Sequence, residues 1–201
     1  MQKLLMVTVS PRYLGSHSRA LADLFTQLAR EVYPDVTFID RDLVAEPPPH
    51  ITDEMIHGIF NKPGPDPQKI QHSLKISNLY TDELLAADCL AIATPMYNFN
   101  VPSTLKAWID LVVRPGLTFE KVADGQLRGL CQEKRAIVMC SMGGRFVNKP
   151  NNLLEPYFRL IADFIGLKQI EFVYLEGTSR ADFDEGSALA NAKQAMVSFL
   201  R

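Results

Sequence analysis

The sequence predicts an α/β fold in which a five-stranded parallel sheet carries helices on both faces, as a three-layer sandwich. Five short apolar runs, typical of strands that are buried on both faces, alternate along the chain with longer segments of helical periodicity. The segments between these runs are long enough to hold the helical crossovers that parallel strands require. The 201 residues are 47% hydrophobic, which suits a single domain over 1–201 with a substantial core.

The predicted elements follow one another in a regular order. Strands are predicted at the apolar runs 4–9, 36–43, 89–94, 136–140 and 169–175. Helices are predicted at 19–32, 67–87, from Ser103 through Val112, at 153–165 and at 187–200, where apolar residues recur at helical spacing. The Pro-rich stretch at about 46–67 predicts a long surface excursion around a short helix near 51–60.

The first predicted strand leads into a hydroxyl-rich turn that opens the first helix. A helix N-terminus at this place directs unpaired N–H groups and the positive end of the helix dipole at an anion. The turn lacks both the Gly-x-Gly-x-x-Gly of dinucleotide folds and the Gly-rich loop ending in Lys-Ser/Thr of ATPases. It offers hydroxyls, donors and charge from Ser10, Ser16, His17, Ser18 and Arg19. This set predicts a site for a terminal monophosphate, although Ser16 or Ser18 is also suited to capping the helix without a ligand.

Two further loops leave the carboxyl ends of predicted strands, where parallel sheets bind their ligands. One supplies flat or polarizable apolar surface and an amide, from Pro95, Met96, Tyr97, Asn98 and Phe99. The other allows backbone N–H groups to approach a ring edge, at Ser141, Met142, Gly143 and Gly144. A phosphate and a planar heteroaromatic ring on one ligand describe FMN. Taken singly, the first loop also suits an aromatic turn packed in the core, and the second a plain bend after a strand.

Several motifs occur together in a recognisable order. They are Ser10-Pro-Arg, Gly15-Ser-His-Ser18, Pro95-Met-Tyr-Asn-Phe-Asn-Val-Pro-Ser-Thr-Leu-Lys106, Gly116-Leu-Thr-Phe119 and Ser141-Met-Gly-Gly144. With them the chain resembles the FMN-dependent NADH:azoreductase family, within the flavodoxin-like quinone reductases. The resemblance covers nearly the whole chain, and the run that begins at Pro95 is its most specific part.

The resemblance implies a flavodoxin-like homodimer with one FMN per subunit, which reduces quinones and azo compounds with NADH or NADPH by two-electron, ping-pong hydride transfer. By position, the serine turn would hold the phosphate, 95–99 the ribityl chain and the ring, and 141–144 the pyrimidine side. The resemblance also implies a substrate pocket that includes Phe119, Lys121 and Phe164, with Phe164 reaching into the partner subunit's pocket. Lys121 stands where some relatives have a tyrosine, so substrate preference does not carry over.

Hydride chemistry on a flavin needs position and electrostatics from the protein, so no obligate catalytic residue is expected. The N–H groups of Gly143 and Gly144 are candidates to stabilise negative charge at N1 of the reduced flavin. Asn98 is a candidate for a hydrogen bond near N5 or the ribityl hydroxyls. The sequence leaves open whether its side chain or its backbone makes that bond.

Composition excludes several other classes. A net charge of −2 with scattered basic residues argues against nucleic acid. A core strand that begins near Met1 leaves no room for a signal peptide, and apolar runs are too short to cross a bilayer, so a cytoplasmic protein is expected. Three cysteines outside any Cys/His cluster suit a reducing compartment and no metal site. The alternatives are an NAD(P)H-dependent FMN reductase, a flavodoxin-type electron carrier and a non-enzymatic nucleotide-binding protein.

Overall fold

The computed structural model describes residues 1–64, 66–123 and 125–201. The strands in these ranges are β1 (Lys3–Thr8), β2 (Thr37–Asp42), β3 (Cys89–Pro95), β4 (Phe119–Lys121), β5 (Leu127–Gly129), β6 (Arg135–Met142) and β7 (Gln169–Glu176). The helices are α1 (His17–Val32), α2 (Asp53–Ile59), α3 (Pro67–Ser73), α4 (Lys75–Ala86), α5 (Ser103–Val112), α6 (Leu154–Ile165) and α7 (Glu185–Leu200). Within the described ranges, no helix combines the length and the apolar character needed to cross a membrane.

Five strands form one parallel sheet in the order β2-β1-β3-β6-β7. The chain runs from β1 to β2 on one side and then returns to place β3 on the other side of β1, so the direction of winding reverses between β1 and β3. This order belongs to doubly wound folds of the flavodoxin type, which bind ligands at the reversal point. The predicted fold class is therefore confirmed.

Helices cover both faces of the sheet because alternate strand residues point in opposite directions. Leu5 and Val7 of β1 belong to a core that includes buried side chains of α4, α5 and α6. Leu4 and Met6 belong to a second core with buried side chains of α1 and α7. Every residue of β3 is buried, which explains why its sequence is a continuous apolar run with no alternation.

The Pro-rich excursion is partly packed against this framework. Its helix α2 buries Met55 and Ile59 in the core on the α4–α6 side. At the end of β2, the buried Arg41 donates from Nε to Glu83 of α4 at 3.1 Å and also pairs with Glu46, where the excursion begins. The predicted short helix near 51–60 is therefore present as α2, while Pro65 lies outside the described residues.

The prediction of a single helix at 67–87 is wrong about its continuity. The chain forms two helices there, α3 and α4, with a break at Leu74. The hydroxyl of Ser73 donates to the carbonyl of Ile70 at 2.8 Å, a local bond that competes with regular helix bonding. The side chain of Leu74 packs tightly on Gly58 of α2, since a Cβ built on that glycine would lie 2.6 Å from Leu74 Cδ1. Packing between distant segments thus sets the break.

A hairpin formed by β4 and β5 follows α5 and was not predicted from the sequence. Each strand has three residues, too few for an alternating pattern to be recognised. The hairpin ends at Gly129, which packs against the backbone where α6 ends. A Cβ built on Gly129 would lie 2.1 Å from the nitrogen of Gly166, whose φ of +87° terminates that helix.

This contact predicts that Gly129→Ala destabilises the protein. The added methyl group meets backbone, which cannot rotate away, so we expect the free energy of unfolding to fall by about 2 kcal/mol or more, as for other overpacked sites. Urea denaturation measures the change. Gly186→Ala is the matched control, because a Cβ there would meet its nearest neighbour, Asp184 Oδ1, only at 3.5 Å. Equal stability of the two variants would contradict the prediction.

Candidate cofactor-binding site

The three predicted binding segments lie together at the carboxyl edge of the sheet. They lie at the ends of β1, β3 and β6, which are neighbours in the sheet. Thr8 pairs with Ala93, and Pro95 pairs with Ser141. The N–H of Met96 donates to the carbonyl of Ser141 at 2.8 Å and joins the second segment to the third. The structure therefore brings these predicted residues to one edge of the molecule.

The turn after β1 presents buried hydroxyls at the start of α1. Ser10, Ser16 and Ser18 are buried, and the hydroxyl oxygens of Ser16 and Ser18 lie 3.3 Å apart. Ser16 caps the helix by accepting a hydrogen bond from the N–H of Arg19 at 3.3 Å. In residues 1–64, 66–123 and 125–201, no acceptor pairs with the N–H groups of His17 and Ser18. Hydroxyls and free N–H groups at a helix N-terminus suit a phosphate.

Arg19 braces this turn. Its Nε and Nη2 donate to the carbonyl of Ser10 at 3.0 and 2.8 Å, and its Nη1 lies 2.9 Å from Oδ2 of Asp42 at the end of β2. Burial alone raises the pKa of Asp42, but the hydrogen bond from Arg19 and backbone N–H donors outweigh it, so that pKa is lowered. The guanidinium therefore links the ends of β1 and β2 to the start of α1.

The imidazole of His17 contacts the start of α7. Its Nδ1 lies 3.2 Å from Oε1 of Glu185, and its ring stands edge-on to Phe183 at 5.4 Å between centroids. The side chain is thus held by protein groups, while the backbone N–H of His17 remains available at the helix N-terminus.

The segment after β3 makes a tight two-residue turn. Tyr97 and Asn100 exchange two backbone hydrogen bonds of 3.0 Å, and the central residues Asn98 and Phe99 both have positive φ, +48° and +68°. Two successive positive φ angles are the mark of a type I′ turn, which asparagine tolerates well. Phenylalanine there costs on the order of 1–2 kcal/mol. Such strain persists where function requires it, and here it leaves Tyr97 43% and Phe99 46% exposed.

The glycine loop after β6 is held by its carbonyl groups. The carbonyls of Met142, Gly143 and Gly144 accept hydrogen bonds at 2.9–3.2 Å from N–H groups of the segment 177–179, which follows β7. No acceptor in the described parts of the chain pairs with the N–H groups of Gly143 and Gly144. The loop therefore offers two free donors at the same edge as the serine turn.

Both glycines pack closely against neighbouring side chains. A Cβ on Gly144 would lie 2.6 Å from Cζ of Phe146, and one on Gly143 would lie 2.8 Å from Oγ of Ser179. The ring of Phe146 in turn stands edge-on to that of Phe99 at 5.6 Å. The aromatic turn and the glycine loop thus form one packed unit.

The segment 176–185 also contacts the site loops, and the sequence did not predict this role. Oε1 of Glu176 accepts hydrogen bonds from the N–H groups of Phe146 and Val147, the second at 2.5 Å. Phe183 and Glu185 hold His17 at the other end of the site. The one available signal was position, because Glu176 ends the strand next to β6.

The predicted substrate pocket is not brought to the cofactor loops within one chain. The rings of Phe119 and Phe164 pack together at 4.6 Å, and Lys121 is exposed at the end of β4. Helix α6 begins beside the aromatic turn, where Leu153 donates its N–H to the carbonyl of Phe99, and Phe164 lies at its far end. Twelve helical residues span about 18 Å, so the two groups are well separated.

Comparison with known proteins agrees with this geometry. A family model described as a flavodoxin-like fold, Flavodoxin_2, matches residues 2–200. The chain belongs to this family. It is 41% identical over 199 residues to the FMN-dependent NADH:quinone oxidoreductase 2 of Pseudomonas fluorescens strain Pf-5, covering 98% of this chain and all of that one. It is 44% identical over 186 residues to the FMN-dependent NADH:quinone oxidoreductase of Alkalilimnicola ehrlichii, covering 92% and 91% of the two chains.

Solved structures share this fold. An azoreductase from Bacillus anthracis strain Sterne superposes with a TM-score of 0.89 at 22% identity and covers 100% of this chain and 99% of its own. An FMN-dependent NADH-azoreductase from Bacillus anthracis strain Ames Ancestor, solved in complex with FMN, gives 0.86 at 21% identity with 100% and 98% coverage. The resemblance to azoreductases and quinone reductases noted from the sequence motifs is confirmed.

The turn at Asn98 yields a prediction that separates backbone from side chain. Asn98→Ala should lower the free energy of unfolding of the FMN-free protein by about 1 kcal/mol, because alanine disfavours positive φ, whereas Asn98→Gly should not. Both variants remove the amide. A loss of FMN affinity shared by both, measured by quenching of FMN fluorescence, therefore reports the side chain, and a loss confined to Asn98→Ala reports the backbone. Equal stability of the two variants would refute the role assigned to the φ angle.

Proposed function

We propose that this protein is an FMN-dependent NADH:quinone oxidoreductase that also reduces azo compounds. The observation that carries the proposal is the meeting of three loops at one sheet edge. They present buried hydroxyls and free N–H groups beside exposed aromatic side chains and a second pair of free N–H groups. The names of the relatives and the FMN-bound azoreductase structure support the same assignment.

The donor set fits FMN from one end to the other. Ser10, Ser16 and Ser18, with the N–H groups that open α1, would hold the phosphate. The segment from Pro95 to Phe99 would hold the ribityl chain and one face of the ring. The segment from Ser141 to Gly144 would bind the pyrimidine edge through its free N–H groups.

The protein's part in the reaction is positioning and electrostatics. When bound, FMN would supply two-electron hydride chemistry, by which NADH, a proton and a quinone give NAD⁺ and a hydroquinone. The N–H groups of Gly143 and Gly144 are fixed because their loop carbonyls are already bonded, so they would donate to negative charge on the ring without reorganising. The half-exposed rings of Tyr97 and Phe99 provide an apolar wall that tolerates varied acceptors.

The cysteines take no part in this chemistry. Cys89, Cys131 and Cys140 are buried and unpaired, and burial raises the pKa of Cys89 to about 12, so it stays a thiol. Three free buried thiols support a cytoplasmic location, where a reducing environment keeps them in that form.

The proposal includes a homodimer, because each chain leaves a partly exposed apolar stripe along α6 and its N-cap residue. Leu153, Tyr157, Leu160 and Phe164 follow helical spacing. Leu153 and Leu160 are 50% and 66% exposed, while Tyr157 and Phe164 are partly buried against the core. A two-fold axis that packs α6 antiparallel to its copy brings the far end of one helix to the near end of the other. Phe164 of the partner subunit would then reach the aromatic turn and complete the substrate pocket.

A spectroscopic titration tests the function. The purified protein should bind one FMN per chain, one equivalent of NADH should bleach the flavin absorbance without oxygen, and one equivalent of a quinone should restore it. Flavin that binds but is not reduced by NADH would indicate an electron carrier. Flavin that is lost on dialysis and reduced only in solution would indicate an FMN reductase, and failure to bind FMN would overturn the proposal.

A charged substitution in the apolar stripe of α6 tests the proposed dimer. Leu160→Glu should shift the protein to a monomer in size-exclusion chromatography with light scattering, because a carboxylate in an apolar interface lacks a partner. Quinone reduction should fall with it, at least tenfold. Ala190→Glu is the control, since it adds the same charge to the exposed side of α7 on the other face of the sheet. A Leu160→Glu variant that stays dimeric would refute this interface.

A further inference from the structure

The tip of the serine turn exposes apolar side chains that the fold does not bury. Tyr13 is 60% exposed and Leu14 is 90% exposed. They lie next to the predicted phosphate site at the carboxyl edge of the sheet, since Tyr13 is three residues after Ser10 and Leu14 is two residues before Ser16. Exposed apolar surface that lies beside a predicted binding site is typical of a contact with a ligand.

The ring of Tyr13 is held in place on one face. The guanidinium of Arg19 lies over it, with Cζ 4.5 Å from the ring centroid. Arg19 is itself fixed by the carbonyl of Ser10 and by Asp42. Tyr13 is therefore a supported aromatic platform with its other face free to stack against a planar group.

A positive charge lies next to this platform. Arg12 is exposed, its guanidinium folds back over the turn within 3.2 Å of the Cβ position of Gly15, and its N–H donates to Oγ of Ser10 at 3.3 Å. Across 1–64, 66–123 and 125–201, no carboxylate forms an ion pair with Arg12. An open aromatic face beside an unpaired guanidinium suits a ligand that is both planar and anionic.

We propose that Tyr13 and Arg12 bind the adenylate half of NADH, with adenine on the open face of Tyr13 and the diphosphate near Arg12. The inference rests on the proposed function and adds a donor subsite to it. Among the ligands of such an enzyme, a quinone carries no phosphate. The FMN phosphate has the hydroxyls and N–H groups at the start of α1. Adenine joined to a diphosphate matches both features of the tip.

The test compares two hydride donors on the FMN-loaded protein. Reduced nicotinamide mononucleotide lacks the adenylate half, so the ratio of kcat/KM for NADH to kcat/KM for this donor isolates the subsite. Tyr13→Ala should lower that ratio about tenfold, as for the loss of one base stack, and Tyr13→Phe should restore it. Val32→Ala, at the other end of α1, is the control for a general loss of stability. An unchanged ratio in Tyr13→Ala would overturn the proposal.

Two further measurements are needed. One asks which phosphate Arg12 binds, and the other distinguishes a failure of the subsite from a failure of the proposed function. Arg12→Ala should lower the same ratio; a weaker FMN affinity with an unchanged ratio would assign Arg12 to the FMN phosphate and remove it from the subsite. Calorimetric titration of the FMN-loaded protein with ADP should show binding that Tyr13→Ala weakens about tenfold. Because ADP transfers no hydride, this result tests the subsite even where NADH fails to reduce the flavin and the proposed function falls.

Discussion

The site depends on the side-by-side pairing of β1, β3 and β6 in the middle of the sheet. Parallel pairing brings the carboxyl ends of these strands to one edge, and their register sets the spacing of the loops that follow. Burial on both faces fixes this pairing, because a slip of one residue would turn each apolar set toward the wrong helical layer. The serine turn, the aromatic turn and the glycine loop contain few core residues of their own, so the ladder beneath them supplies their alignment.

The strained aromatic turn shows how this framework supports an unfavourable local conformation. A phenylalanine with positive φ would relax if it were free. Phe99 is held because its carbonyl accepts the N–H of Leu153, its ring packs on Phe146, and the preceding Met96 is bonded to Ser141. Each of these partners belongs to β6 or to the loop that leads into α6. The turn is thus fixed by elements distant in sequence, and its aromatic side chains stay exposed at the carboxyl edge of the sheet.

The sequence was sufficient for features that follow from local pattern, and insufficient for those that depend on distant contacts. Continuous apolar runs such as β3 predicted the parallel sheet, and the serine turn predicted the polar edge of α1. The break at Leu74 was missed because it depends on Gly58, sixteen residues away in the chain. The support from Glu176 was missed for the same reason, because Phe146 and Val147 lie about thirty residues away in the chain. The short hairpin was missed because strands of three residues carry no periodic signal. Arg19 was read as a donor for the anion, yet Asp42 and the carbonyl of Ser10 occupy it.

The placement of α6 keeps the predicted substrate-pocket residues apart from the predicted cofactor loops within one chain. Its first turn is tied to the aromatic turn through Leu153 and Phe99, and its last turn is tied to the hairpin region through the N–H of Cys131 and the carbonyl of Ile165. The rigid helix between them keeps Phe164 away from its own chain's cofactor loops. In the proposed dimer, the two copies of α6 pack antiparallel, so that the last turn of each helix lies beside the aromatic turn of the other chain and completes its substrate pocket. Substrate binding and subunit association would then draw on the same contacts, so each would strengthen the other by an equal free energy.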